Sequence, residues 1–288
     1  MLIQPVTPVI GAEIRDVDVR ALTDASFDDL FQAFVAHSVI FLRDQQALTD
    51  DEHRAFAERF GPIHVHPAAR GKPAPLPGAI KMRTHSESRV AAGNRWHSDV
   101  SCDAQPPQAS ILQLHTIPAT GGDTLFSSLY AAYDTLSERM KHYLDGLTAM
   151  HSGEEPFSGL FKFERSNDNA PWPEHHHPIV RKHKDSGRPA LFVDREFTSR
   201  VDDIPKEEGK ALLEFLFAHT ERVDFQCRFR WQPNDIAIWD NRCVLHHAIW
   251  DYWPAERSGR RISVVGETPE PWWLGSNPHA VVNTRLTD

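Results

Sequence analysis

Cysteine is scarce in this chain of 288 residues: only Cys102, Cys227 and Cys243 are present, and no two stand at C-x-x-C spacing. An odd count without that spacing excludes a complete disulfide framework and a cysteine-based zinc finger, and it fits a reducing compartment. Long apolar runs are missing too. No stretch of about 18 apolar residues occurs, and the opening "MLIQPVTPVIGAEI" has neither the basic start nor the apolar core of a secretion signal. The expectation is a cytoplasmic protein with no membrane partner. Basic blocks are also absent, and the formal charge is -9. A phosphate backbone demands a clustered basic footprint, so nucleic acid is excluded and a small-molecule substrate is expected.

What is present is an ordinary globular composition, 40% hydrophobic, enough to bury a sizeable core. The amino-terminal third alternates helix and strand. In "SFDDLFQAFVAHS", Phe27, Leu30, Phe31, Phe34 and Val35 recur at helical spacing behind Ser26 as cap. "SVIFLRD" reads as a buried strand, and "LTDDEHRAFAERFG" as a helix with Thr49 and Glu52 in capping-box relation and Gly61 as stop. Residues 66–94 turn to Pro, Gly and Ala and predict a long loop that closes as a lid. The carboxyl third is β-rich. "VDFQCRFRW" alternates with period two, "IAIWD" and "CVLHHA" follow as strands, and "RRISVVG" is the last. "PWPEHHHPIV", with His175, His176 and His177, reads as a surface loop. No repeat or linker divides the chain, so residues 1–288 are expected to form one mixed α/β domain.

The chemistry centres on "NRWHSDVSC", where His97 and Asp99 stand two apart. Residues two apart on extended chain share a face, so both can aim at one point. An isolated H-x-D ordinarily means a hydrogen-bonded loop; a metal site needs a third ligand. His246 and His247 of "WDNRCVLHHAIWDYW" are the candidates, and strand alternation places them on opposite faces without choosing between them. Two imidazoles and one carboxylate on one face of an octahedral ion leave three positions open, the arrangement of non-haem Fe(II) oxygenases. A closed zinc site would need a fourth ligand.

Taken together, "NRWHSDVS", "PATGGDTLF", "FRWQPNDIAIWDNR", "LHHA" and "RRIS" resemble the taurine dioxygenase group of Fe(II)- and 2-oxoglutarate-dependent dioxygenases. The likeness runs from "PVIGAEI" through "VIFLRDQ" and "GRPALFV" to the last strand. It implies a double-stranded β-helix (jelly roll) core with helices outside, and an oligomer, dimer or tetramer. It implies His97, Asp99 and His246 as the catalytic iron ligands, the choice of His246 over His247 following from the motif. It further implies that Arg261 and Thr124 hold the distal carboxylate of 2-oxoglutarate, a task suited to a planar guanidinium. Fe(II) and O2 complete the set, and cosubstrate decarboxylation to succinate and CO2 is coupled to hydroxylation of a C–H bond. The retained Asp99 argues against halogenation. Desaturation with the same set, a metal-binding jelly roll without oxygenase activity, and a zinc hydrolase are the alternatives.

The substrate is less legible. The group's sulfonate-binding arginine, four positions past the cosubstrate arginine, falls on Val265, whereas its sulfonate-binding histidine corresponds to His66. Arg257 is a candidate replacement cation, its ordinary reading being an exposed turn arginine. Arg95, Phe157 and Phe197 complete the candidate substrate-binding residues. An alkyl sulfonate, a sulfate ester or a carboxylate is expected.

Overall fold

Strands buried along their whole length organise the molecule. Val39–Leu42 and Ile236–Asp240 are each buried at every position, as near-continuous apolar runs must be when both faces of a sheet are covered. They sit mid-sheet in the order Leu2–Pro5, Ala12–Arg15, Val39–Leu42, Ile236–Asp240, Pro107–Thr116, Arg257–Val265, Ala79–Thr84. Pairing is antiparallel except between Ala12–Arg15 and Val39–Leu42. The computed structural model describes residues 1–71, 78–165 and 170–273.

One face of this sheet is closed by the helices Asp24–His37 and Asp50–Glu58, whose Phe27, Leu30, Phe34 and Phe56 pack with Ile40, Ile111 and Ile262. The other face meets a second sheet, Gln226–Phe229, Thr124–Ser128 and Val244–Ala248. Phe41 stacks on Phe229 with centroids 4.0 Å apart, and Phe126 meets Trp239 at 5.8 Å. Each buried aromatic contributes about 1.5–3 kcal/mol, and the same rings hold the two sheets at the spacing that the site between them requires. The helix Lys206–Thr220 packs its Leu212, Leu213, Leu216 and Phe217 against the far side. Among the described residues no helix is long and apolar enough to cross a membrane.

The capping box of Thr49 and Glu52 forms as expected. Elsewhere local chemistry shifts the boundaries. The first helix is capped by Thr23, whose hydroxyl accepts from the Ser26 amide, so Ser26 lies inside it. "VDFQCRFRW" splits: Val223–Phe225 is a short 3-10 turn and the strand covers only Gln226–Phe229, leaving Val223 80% exposed. The histidine run is not a loop but the strand Glu174–Pro178, with His177 buried and bonded to the Asp103 carbonyl. Part of the expected lid, Ala79–Thr84, is an edge strand paired with Arg257–Val265, while residues 72–77 lie outside the described residues.

Candidate active site

His97 and His246 face each other as a single antiparallel bridge. The His97 amide donates to the His246 carbonyl at 3.2 Å and the His246 amide returns the bond at 2.9 Å. This exchange sets the two rings 4.1 Å apart between the sheets. Asp99 completes a cluster in which its Oδ1 lies 3.6 Å from His97 Nε2 and 3.8 Å from His246 Nε2, too far for hydrogen bonds. His97, Asp99 and His246 are all buried, and their ligand atoms converge within 4.8 Å. The segment does not continue as a strand after Asp99: Val100 has φ 47°, a left-handed conformation rare for a β-branched residue. His247 points away, half-exposed, with Nε2 3.1 Å from Asn94 Oδ1.

Outer contacts fix the three side chains. His97 Nδ1 donates to the Arg95 carbonyl at 2.8 Å, which leaves Nε2 as the free donor atom. Ser110 Oγ donates to Asp99 Oδ2 at 2.6 Å and is itself bound by Asn241 Nδ2 at 3.0 Å. Asn241 Oδ1 accepts from the Asp99 amide and from Trp239 Nε1. With Oδ2 so occupied, Oδ1 is the oxygen turned to the histidines. A borderline-soft divalent ion such as Fe(II) fits this donor set of two imidazole nitrogens and one carboxylate oxygen. The other buried cluster, His183, Asp240 and Cys243, is different: Arg242 binds Asp240 through two nitrogens and His183 donates to it, so that carboxylate is already neutralised.

Charge is concentrated here. Burial would raise the Asp99 carboxyl, but Arg261 and the two histidines hold it well below the usual carboxylate range. Burial lowers His97, yet the charges of Glu196 and Asp99 outweigh it and bring it to about 9. His246 is pushed well down by burial and by His97.

The two arginines of the last strand occupy different places. Arg257, expected in an exposed turn, is 7% exposed because the strand begins there rather than at Arg260. Its Nη2 donates to Thr124 Oγ1 at 3.2 Å and its Nε to the Gly122 carbonyl at 3.0 Å. Among the described residues it has no carboxylate partner. Arg261 instead reaches Asp99, Nη1 to Oδ1 at 2.5 Å, and its buried Nε has no hydrogen-bond partner. Thr124 is thus hydrogen-bonded to Arg257, whereas the family likeness names Arg261 and Thr124 as the two groups that hold the cosubstrate carboxylate. Val265 ends the strand opposite Pro107 and does not line the site, so its isopropyl group cannot stand in for a substrate-binding cation. Arg260 turns outward to the Leu48 carbonyl.

A cavity of about 390 Å³ opens over these groups and is lined by the three clustered residues, Thr124, Arg257, Arg261, His66, Phe157 and Phe197. Phe157 and Phe197 meet edge-on at 5.7 Å, and His66 caps Phe157 at 5.1 Å. Burial, then the charge of Arg261, pushes His66 down to about 3, so its ring is neutral. Arg95 does not line the cavity; its side chain is exposed and its carbonyl is what serves the site. Sequence reasoning did not single out the Ser110–Asn241 support, Met82, or Glu196, whose carboxyl burial raises. Asn241 could have been found, since it sits inside the "WDNR" run.

Comparison with known proteins decides the family. The family described as "Taurine catabolism dioxygenase TauD, TfdA family" matches residues 2–264. The chain belongs to it. An alpha-ketoglutarate-dependent sulfate ester dioxygenase from Pseudomonas putida is 34% identical over 276 residues, 93% of this chain and 90% of that protein. A taurine dioxygenase structure from Burkholderia xenovorans superposes with TM-score 0.80 at 31% identity, covering 94% of this chain and 92% of that one. AAD-2, solved with Mn(II) and N-oxalylglycine, superposes with TM-score 0.83 at 25% identity over 93% of this chain and 99% of that one. As a member of this family the protein is a 2-oxoglutarate-dependent dioxygenase that uses Fe(II) and O2.

Proposed function

We propose that this dioxygenase hydroxylates a small organic anion, a sulfonate or sulfate ester before a carboxylate, with His97, Asp99 and His246 holding Fe(II). Arg257 and Thr124 take the distal carboxylate of 2-oxoglutarate, and Arg261 with His66 takes the anionic group of the substrate. One observation carries the reading: Arg257, a buried guanidinium without a carboxylate partner, faces the same cavity as the metal-ligand cluster. A buried charge left unpaired is costly, so such a residue marks the seat of an anion. Thr124 Oγ1 already accepts from Arg257 and from Trp231 Nε1, and so keeps its own proton to donate to a carboxylate. Arg261 sits too near Asp99 for the far end of a cosubstrate chelated at the metal. A second anion beside the ligands suits it better.

Bound Fe(II) with 2-oxoglutarate supplies O2 activation and the oxidising power for a C–H bond. The chain's own residues orient and exclude. Arg261 fixes the substrate's charged end by charge-assisted bonds, while Phe157 and Phe197 shut water from its carbon skeleton. Hydroxylation at the carbon bearing sulfur or ester oxygen would give an unstable product that collapses to an aldehyde and releases sulfite or sulfate. The two packed sheets with the ligands between them support a double-stranded β-helix core, and their shared hydrophobic core supports a single domain. The test is succinate release across alkyl sulfonates, sulfate esters and carboxylates, with aldehyde measured in parallel. Turnover restricted to substrates without an anionic group would defeat the proposal.

A further inference from the structure

The histidine run "EHHHP" does not line the cavity, yet two of its members bind the chain segment that follows Asp99. The small sheet of Thr198–Val201, Thr148–Ser152 and Glu174–Pro178 sets His151 opposite His175, and His177, two residues on, shares their face. His176 points the other way, to Asp202. The three rings lie together, the His177 centroid being 5.3 Å from that of His151 and 6.3 Å from that of His175. Each takes one of three successive residues. His151 Nδ1 lies 2.9 Å from Ser101 Oγ, His175 Nδ1 donates to the Cys102 carbonyl at 2.8 Å, and His177 Nε2 donates to the Asp103 carbonyl at 2.9 Å. Ser101 Oγ gives its only proton to Asp194 Oδ2, so His151 Nδ1 is a donor as well. Among the described residues no backbone amide serves either carbonyl, and a buried carbonyl left unpaired is costly.

What these bonds hold is a strained turn beside the metal-ligand cluster. Val100, β-branched and at φ 47°, follows Asp99 directly, and the Asp103 amide closes the turn on the Val100 carbonyl at 3.1 Å. Such a backbone persists only where its surroundings over-determine it. On one side Asn241 and Ser110 grip Asp99 itself. On the other the three histidines grip residues 101–103 from the small sheet. Resting on the proposed assignment of His97, Asp99 and His246 as metal ligands, we infer that His151, His175 and His177 are positioning residues for the metal centre. Their N–H groups hold the turn after Asp99 and so set where Asp99 Oδ1 stands against the two ligand histidines. Loss of a donor frees the Cys102 or Asp103 peptide, Val100 relaxes toward negative φ, and the carboxylate turns with it.

The test is the affinity of the full chain for Fe(II) alone, measured by anaerobic competition with a chelator and without 2-oxoglutarate or substrate. Asparagine places an N–H near the imidazole Nδ1 position and glutamine near Nε2, whereas leucine fills the space without a donor. His175→Leu is expected to weaken Fe(II) binding about three- to tenfold, less than the about 10–100-fold for a partner that touches a ligand directly. His175→Asn restores near-native affinity. His177→Leu and His177→Gln repeat the comparison at the buried position; should His177→Leu not fold, the half-buried His175 pair decides alone. Native affinity in His175→Leu overturns the inference, since the turn then holds itself. Equal losses in the leucine and asparagine variants overturn it too, because they trace to packing and not to the donated N–H. A purely structural role would lower the melting midpoint and leave the Fe(II) affinity of the folded protein unchanged. Asp99→Ala is the control for the ligand assignment. If it keeps native Fe(II) affinity, that assignment fails and the inference with it; if it loses the metal while His175→Leu keeps it, the inference alone fails.

Discussion

Arg257 and Thr124 meet across the two sheets, the guanidinium Nη2 of one 3.2 Å from the hydroxyl oxygen of the other. On the proposed assignment, the contact marks Arg257 as the cosubstrate arginine and leaves Arg261, four residues on, to the substrate. Arg257→Ala is expected to weaken 2-oxoglutarate binding roughly tenfold to a hundredfold, whereas Arg261→Ala leaves it near native and raises the KM of an anionic substrate. Anaerobic titration, followed by the weak visible band of the iron–cosubstrate chelate, distinguishes the two. The opposite ranking would return Arg261 to the cosubstrate.

Adjacent histidines should behave unlike each other. His246 is buried against His97 and Asp99, while His247 is half-exposed and bonded to Asn94. His246→Ala should lose Fe(II) and activity; His247→Ala should keep stoichiometric metal. Metal content after dialysis settles it, and comparable iron in both variants would sink the assignment.

Ser110 bonds Asp99 only at Oδ2, and by holding that oxygen it directs the carboxylate so that Oδ1 faces the histidines and Arg261. Ser110→Ala removes that bond and breaks the link to Asn241 and Ser263. Metal affinity should fall about 10–100-fold, the usual cost of losing an outer partner. Competition with a chelator measures it, with a melting curve to confirm folding; unchanged affinity would mean that the backbone alone aims Asp99.

Between Arg257 and Arg261 lies Gly259, where an added Cβ would run into the Gln113 carbonyl and the Leu114 backbone of the neighbouring strand. Those atoms belong to the sheet and cannot swing aside. Gly259→Ala should cost about 1–3 kcal/mol from overpacking and displace both guanidinium groups. A lowered urea midpoint together with weaker 2-oxoglutarate binding is expected; a native midpoint would show that the strands part easily.

Periodicity revealed what repeats and missed what depends on a single contact. The buried run at Val39–Leu42 and the capping box at Thr49 were legible because each follows from residues close in sequence. The ligand motif was legible in combination: strand alternation left His246 and His247 open, the family likeness chose His246, and the physical reason is the bridge to His97, a contact 149 residues apart (246 minus 97) that no local pattern encodes. Arg257 was misjudged because Pro254 and Gly259 suggest a turn, whereas pairing on both sides, with Thr84 and through Ser258 with Thr116, begins the strand at Arg257. Glu196 was invisible for a related reason: its burial comes from a turn around Asp194, not from any alternation in the surrounding sequence.

Buried neutral histidines set the response to acid. Burial lowers His53 and His177 to about 4 and His151 further, each in a core site rather than at the metal cluster. In the unfolded chain these groups titrate near 6.5, about the ordinary histidine value. The folded pKa is depressed, so the unfolded state binds protons more readily. Stability is therefore fully present above about pH 6.5 and is lost as pH falls toward about 4, steepening by about 1.4 kcal/mol per pH unit for each proton taken up on unfolding. Carboxylates held low, Asp103 among them through His64 and Arg70, add to the loss only at still lower pH. Urea midpoints at about pH 7.5, 6 and 5 should thus fall in sequence, with most of the change below pH 6.5. A midpoint that rose on acidification across this window would show that these histidines are charged in the folded protein, contrary to their burial.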